Sequence, residues 1–132
     1  AQRRAAMDSL KYGRFAGVTQ RMLPQLVAAT RIHAPVAQAV MAMAERVGPD
    51  AYLRQQRAIL SRPDSRGLLS ALSIPVTIIV GDEDVLTPPA ESEAMHAAMP
   101  GSALHILPGC GHMSAMEEPD MVTGLLRAWL TA

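Results

Sequence analysis

The sequence has one cysteine in 132 residues, few aromatic residues and no long hydrophobic run. A single cysteine, Cys110, excludes a disulfide within the chain and is typical of a reducing compartment. No apolar run approaches the roughly 20 residues that cross a bilayer, and the first residues lack a signal-peptide core. We therefore expect no membrane partner and a cytoplasmic location.

The chain also has no net charge, but its charges are unevenly divided. Residues 1–66 hold eleven basic and four acidic side chains, a net charge of +7, whereas residues 67–132 hold one basic and eight acidic, a net charge of −7. Such a division indicates two parts with different tasks. Because the arginines are scattered and aromatic residues make up only 3% of the chain, no nucleic-acid partner is expected. Attraction between the halves, within the chain or across a dimer, is the simpler interpretation.

Residues 1–72 read as helices only, because apolar side chains recur at helical spacing between prolines and glycines. Pro24 is expected to kink or bound the second helix, and Gly48 to end the third. The predicted helices cover Arg3–Lys11, Ala16–Ala29, Ala34–Val47, Pro49 to near Pro63, and a short turn from Arg66 to Leu72.

After Pro75 the pattern changes to strand, helix, strand and helix. Val76–Val80 is β-branched and uncharged, which is typical of a strand buried on both faces of a parallel sheet. Ala103–Leu107 predicts a second strand, and Pro88–Met99 and Glu118–Leu130 predict helices. The fold class is therefore α/β, with a helical segment followed by a piece of a parallel sheet.

Two capping arrangements are expected at the starts of these helices. Thr87 precedes the Pro88–Met99 helix and is a candidate N-cap. Ser114 and Glu117 have the spacing of a capping box in front of the last helix. Both assignments rest on local spacing alone.

A glycine-containing turn follows each predicted strand. Gly81-Asp82-Glu83-Asp84 comes after the first strand and Gly109-Cys110-Gly111-His112 after the second. If the strands are parallel, their carboxyl ends lie at one edge of the sheet, where open α/β sheets build their sites. Asp84 and His112 would then meet, and an Asp–His pair is the acid and base of a hydrolytic triad.

Other functions for the residues of these turns are open to test. Asp82 and Glu83 flank Asp84 as weaker candidates for the acid, and both could join Asp84 and His112 around a metal ion. One histidine without a second histidine or cysteine is a poor ligand set, so neither a metal nor a cofactor is expected. Cys110 lies on the same turn as His112, which disfavours it as a thiol nucleophile.

The remaining histidines and two methionines have less distinctive settings. His33, His96 and His105 lack the flanking glycines of His112 and are expected to be packed or surface residues. Met113 and Met116 are equally well explained by an acyl pocket and by core packing.

The ordered pair of turns resembles the C-terminal part of α/β-hydrolase-fold enzymes. In that family a G-x-x-D turn followed by Pro presents the triad acid, and a G-x-G-H turn presents the triad histidine; Gly81–Asp84 with Pro88, and Gly109–His112, match both in order. The resemblance implies a hydrolase acting on an ester or similar small acyl substrate, with Asp84 and His112 as catalytic residues. It also implies a helical lid at residues 1–72 and a core portion at residues 73–132.

The chain departs from the family at the nucleophile. None of its eight serines lies in the G-x-S-x-G elbow that carries the nucleophile there. The resemblance thus implies a downstream half, completed by a missing N-terminal half or by a second copy of the chain. A non-catalytic half-domain that acts as an oligomerisation or interaction module is the alternative. A free strand edge, with Ile78 and Val80 exposed, predicts a homodimer in either case.

Overall fold

A computed structural model describes residues 18–131. The helix expected at Arg3–Lys11 lies outside the described residues. The α-helices are Pro35–Ser61 (α1), Pro89–Ala98 (α2), Ser114–Glu117 (α3) and Pro119–Leu130 (α4), the strands are Thr77–Gly81 (β1) and Ala103–Leu107 (β2), and short 3₁₀ helices span Gln20–Gln25, Ala29–Arg31 and Arg66–Ala71. This order confirms the expected α/β class.

The two strands form a parallel pair, with Thr77 opposite Ala103 and Gly81 opposite Leu107. α2 connects them, and it contacts both strands. β1 begins one residue later than the sequence predicts, although the carbonyl of Val76 still accepts the N–H of Ala103 at 2.9 Å. Because the pairing is parallel and in register, the turns after both strands emerge at the same edge of the sheet.

One core cluster lies between the sheet and the last helix. Leu107, Cys110 and Val122 are buried in it, and Ile79 and Leu125 pack against them. Complete burial of an aliphatic side chain stabilises a fold by about 1.5–3 kcal/mol. These contacts hold α4 against the sheet and fix the start of the turn that contains Cys110.

The expectation that Ile78 and Val80 are exposed is wrong. Their exposed fractions are 7% and 5%. Within residues 18–131 β1 is paired along one edge only, in the order β1–β2. An unpaired strand edge exposes backbone groups, not the side chains on the two faces of the strand. In the described part no second strand pairs with β1, but α2 contacts the strands.

The helix break expected at Gly48 is confirmed. Pro35–Ser61 is helical on both sides of this residue, but Gly48 itself has φ of 71° and ψ of 171°. Glycine adopts positive φ without the steric cost that a side chain imposes. Pro49 then follows directly, where its fixed φ suits a helix start.

The α-helix expected over Ala16–Ala29 is wrong. Its described part contains the 3₁₀ helix Gln20–Gln25, in which Pro24 has no N–H to donate, and the first residue of the 3₁₀ helix Ala29–Arg31. Ala28 is non-helical, with φ of −55° and ψ of 148°. The N–H groups of Ala28 and Ala29 donate to the carboxylates of Glu117 and Glu83, so distant side chains replace the helical acceptors.

A second core cluster joins this segment to α1. Its buried members are Leu23, Val27, Ala37 and Val40, and Met113 and Met116 pack against them. Of the two interpretations of the methionines, core packing is therefore the one that the structure shows. Among the described residues, no helix combines the length and hydropathy that crossing a membrane requires.

Candidate active site

The acid turn holds Asp84 through its own neighbours. Asp84 is 6% exposed, and its Oδ1 accepts the N–H groups of Leu86 and Thr87, both at 2.9 Å. The Thr87 hydroxyl donates to Asp84 Oδ2 at 2.8 Å. The expected Thr87 cap is therefore wrong: Pro88 occupies the N-cap of α2 without a side-chain cap, because the threonine hydroxyl is committed to the carboxylate.

His112 lies against this carboxylate. Its Nδ1 is 2.9 Å from Asp84 Oδ2, and the Thr87 hydroxyl oxygen is 3.3 Å from the same ring nitrogen. An ionised carboxylate can only accept, so Nδ1 carries the proton of this bond. In the neutral ring Nε2 is then unprotonated. The His112 side chain is 33% exposed against 5% for Asp84, so the ring remains accessible while its partner is buried.

The environment of Asp84 favours its ionised form. Burial raises the pKa of the carboxyl group, but hydrogen bonds from Thr87, His112 and Leu86 together outweigh burial and hold the pKa below its ordinary value. Asp84 is consequently charged at neutral pH. A buried negative charge beside Nδ1 orients the ring and stabilises an imidazolium.

Backbone contacts join the two turns. The N–H of Asp82 donates to the Leu107 carbonyl at 3.0 Å, and that of Glu83 to the Cys110 carbonyl at 2.9 Å. A Cβ at Gly81 would lie 2.1 Å from the Cys110 carbonyl oxygen, a distance that no side chain tolerates. The glycine that begins the acid turn is thus required by the approach of the histidine turn.

The other residues considered for the site have different partners. Asp82 Oδ1 accepts the Cys110 N–H at 3.2 Å, and Glu83 Oε2 accepts the Ala29 N–H at 2.9 Å. Both residues are exposed. In residues 18–131 no three histidine, cysteine, aspartate or glutamate side chains are placed to share a metal ion.

Cys110 is unsuited to act as a nucleophile. Its side chain is fully buried. Burial, followed by the nearby charge of Glu117, raises the pKa of the thiol to about 11. A thiol with that pKa stays protonated at neutral pH, whereas the thiolate is the reactive form.

The remaining histidines do not share the setting of His112. His33 is exposed, and His105 is half-buried on β2. The His96 ring Nδ1 is 2.8 Å from the Ser102 hydroxyl, near the C-terminal end of α2. Within the described part of the chain, none of the three is hydrogen-bonded to a carboxylate.

A cavity of about 670 Å³ opens beside Asp84 and His112. Its apolar walls come mainly from β1 and α2, including Ile78, Val80 and Met95. Its polar lining comprises Arg66, Thr87, Glu91, Ser92 and Ser114 together with the Asp84–His112 pair. The exposed side of the imidazole therefore faces a mostly apolar space with a few polar groups, as is typical of small-molecule sites.

Sequence reasoning missed the contacts of Glu117. The expected capping box is wrong, because Met113 holds the N-cap of α3 and no side chain caps it. The buried Glu117 carboxylate instead accepts the N–H groups of Ala28, Gly111 and Met113. Arg31, for which the sequence carried no signal, donates to the Glu117 carbonyl and the Glu118 carboxylate.

The similarity of this chain to known proteins agrees with the fold. A solved structure of a thermophilic esterase from Thermogutta terrifontis, with malate bound, superposes with a TM-score of 0.89 at 32% identity. The match covers 98% of this chain and 48% of that chain. A hydrolase from Pseudomonas aeruginosa PA01 has a TM-score of 0.79 over 99% of this chain and 50% of its own, and its 21% identity shows the fold alone.

Sequence comparison points to the same family. A pimeloyl-[acyl-carrier protein] methyl ester esterase from Neisseria meningitidis serogroup A is 28% identical over 82 residues, which are 62% of this chain and 26% of the esterase. The chain thus spans about a quarter of that relative and about half of the two solved structures. The model of the alpha/beta hydrolase family matches residues 2–124. The chain therefore belongs to the alpha/beta hydrolase family.

Proposed function

We propose that Asp84 and His112 are the acid and general base of a hydrolase that cleaves an ester or a similar small acyl substrate. The observation that carries the proposal is the 2.9 Å contact between His112 Nδ1 and Asp84 Oδ2, made beside a cavity with apolar walls. The esterases similar to this chain support the choice of an ester among acyl substrates.

The proposed reaction follows from the proton positions at this pair. Nε2 of His112 takes the proton of a nucleophilic hydroxyl as its oxygen forms a bond to the substrate carbonyl carbon. The imidazolium, stabilised by Asp84, then donates that proton to the leaving alcohol as the ester bond breaks. Water repeats the sequence, gives its proton to Nε2 and releases the acid from the acyl-enzyme.

The nucleophile is proposed to lie outside residues 1–132. None of the serines has the G-x-S-x-G context. Ser92 and Ser114 line the cavity, but within residues 18–131 neither hydroxyl is hydrogen-bonded to His112. A G-x-S-x-G sequence encoded upstream in the same reading frame would support the catalytic proposal over a non-catalytic interaction module.

Residues 1–72 are proposed to act as a lid over residues 73–132. Arg66 lines the same cavity as His112, and the N–H of Ala29 is bound by Glu83 in the acid turn. These contacts of Ala29 and Arg66 support the proposal, in which the lid limits the size of the acyl group.

Ester hydrolysis by the natural-length protein that contains this chain tests the proposal. His112→Ala is expected to abolish most of the turnover of short-chain nitrophenyl esters, because the general base is lost. His33→Ala, which changes an exposed histidine, is the matched control and should retain wild-type turnover. Undiminished hydrolysis by the His112→Ala variant would exclude His112 as the base.

Residues 1–132 alone are proposed to form a homodimer without appreciable esterase activity. In the described residues β1 pairs with one strand only, and an unpaired strand edge favours association with another strand. Light scattering at micromolar concentration should give twice the mass of the 14.1 kDa chain. A compact monomer that unfolds cooperatively would contradict the need for a sheet neighbour.

A further inference from the structure

We propose that Glu117 is a positioning residue, which fixes the backbone on both sides of His112 and fastens that turn to the segment of residues 26–31. The inference rests on the proposed function, since it concerns how the general base is held. Glu117 acts through backbone N–H groups and does not line the cavity in the described structure.

Three N–H groups converge on this one carboxylate. Glu117 Oε2 accepts the Ala28 N–H at 2.7 Å. Oε1 accepts the N–H of Gly111 at 3.0 Å and that of Met113 at 3.2 Å. Gly111 and Met113 are the immediate neighbours of His112, so the carboxylate holds the peptide groups before and after the base.

The burial of Glu117 makes these contacts necessary. The residue is only 5% exposed, and a buried charge is costly unless hydrogen bonds and opposite charge compensate it. Bonds from N–H groups to a carboxylate are charge-assisted and stronger than neutral ones. Arg31 places a guanidinium nearby through its contacts with the Glu117 carbonyl and Glu118. The cluster thus joins a buried anion, three donors and a neighbouring cation.

The backbone around Gly111 lies directly against residues 27 and 28, which leaves no room for a side chain at Gly111. A Cβ at Gly111 would lie 2.6 Å from the Ala28 nitrogen and from the Val27 carbonyl carbon. The Met113 N–H donates to the Leu26 carbonyl at 3.0 Å. The N–H groups of Ala28 and Gly111 have no backbone acceptor within the described residues, and the Glu117 carboxylate, which reaches between the two segments, accepts both.

The position of His112 should therefore depend on Glu117, whereas the affinity of the protein for its substrate should not. A displacement of about 1 Å in a reacting group can cost about 10²-fold in rate. In the natural-length protein we expect Glu117→Ala to lower kcat by about that factor and to leave KM unchanged. Glu117→Gln should cause a smaller loss than Glu117→Ala, because the amide keeps one accepting oxygen whereas alanine keeps none. Glu93→Gln, an exposed glutamate on α2, is the matched control.

Amide hydrogen exchange separates positioning from a general loss of structure. In Glu117→Gln the amides of Ala28 and Gly111 should exchange faster, whereas that of Val80, which faces β2 in the parallel pair, should keep its wild-type rate. Unchanged exchange at both amides would overturn the proposal. Equal acceleration at Val80 would also overturn it, because the role would then be global stability.

The outcomes distinguish this inference from the proposed function. If His112→Ala keeps full activity, the proposed function fails, and the exchange rates in Glu117→Gln still decide whether the carboxylate holds the turn. If His112 is essential while both Glu117 variants keep wild-type kcat, the positioning role is excluded and the proposed function stands. Should Glu117→Ala not fold, Glu117→Gln provides both measurements.

Discussion

The acid turn, residues 81–88, and the histidine turn, residues 108–117, are built differently although each encloses a buried carboxylate. Asp84 is 6% and Glu117 is 5% exposed. The backbone N–H and hydroxyl donors to Asp84 lie two and three residues further along the same turn. Glu117 accepts from Ala28, a residue 89 positions away. The Asp84 carboxylate is thus held mainly from within its own turn, whereas the Glu117 carboxylate also binds a distant part of the chain.

The two carboxylates therefore affect His112 in different ways. Asp84 contacts the ring of His112 directly, so a change there acts on the protonation of this imidazole. Glu117 contacts the backbone around His112, so a change there acts on its position. Variants in the acid turn should consequently preserve the fold better than variants of Glu117.

The largest expected effect is that of Asp84→Asn on catalysis. Asparagine keeps an oxygen that can accept from Leu86 and Thr87, but it no longer fixes the tautomer of His112, and such a change costs about 10⁴-fold in kcat. Steady-state ester hydrolysis by the natural-length protein measures it. The circular dichroism of the variant should match wild type, because the backbone donors of Leu86 and Thr87 that shape the turn remain satisfied.

Asp82→Asn is the matched control for this variant. Its side-chain oxygen can still accept the Cys110 N–H, so activity should stay near wild type. If Asp82→Asn were as damaging as Asp84→Asn, the assignment of the acid within the Gly81–Asp84 turn would be wrong.

A smaller effect is expected for Thr87→Val on stability in acid. The pKa of Asp84 is held below its ordinary value of about 3.9, so ionised Asp84 stabilises the fold above that pH, and the contribution disappears as the pH falls through the lower folded-state pKa. Removing the Thr87 hydroxyl raises the folded-state pKa towards the ordinary value and reduces this contribution. Urea midpoints measured from neutral to strongly acid pH should fall earlier in Thr87→Val.

Thr123→Val controls for the loss of a threonine hydroxyl. Thr123 is exposed on α4, away from Asp84, and its variant should follow the wild-type pH profile. The same early loss of stability in both variants would show that Thr87 has no specific role at Asp84.

The second half of the fold follows closely from local sequence. A β-branched uncharged run predicts β1, and the prolines and glycines around α2 and β2 predict their bounds to within one residue. Parallel pairing then brings Asp84 and His112 together. The prediction succeeds because two strands joined through a helix leave few alternative arrangements.

The first half does not follow in the same way. Helical spacing over Ala16–Ala29 predicted one helix, but two carboxylates from the site turns bind the N–H groups of Ala28 and Ala29. Local spacing likewise predicted caps for Thr87 and Glu117, whose side chains instead hold Asp84 and the histidine turn. Ala28 and Ala29 thus have acceptors far along the chain, whereas Thr87 bonds Asp84 three residues before it.

By itself the sequence determined the order of helices and strands after Pro75 and the glycine turns, because these depend on residues close together in the chain. It also indicated the contact of Asp84 with His112, 28 positions away, because parallel strands end at one edge of the sheet. Only the tertiary structure decided the path of residues 26–31 and the role of Glu117. Both depend on backbone N–H groups, such as that of Ala28, whose acceptors come from a distant part of the chain. A buried N–H group must be paired, and the fold decides which acceptor lies within hydrogen-bond distance.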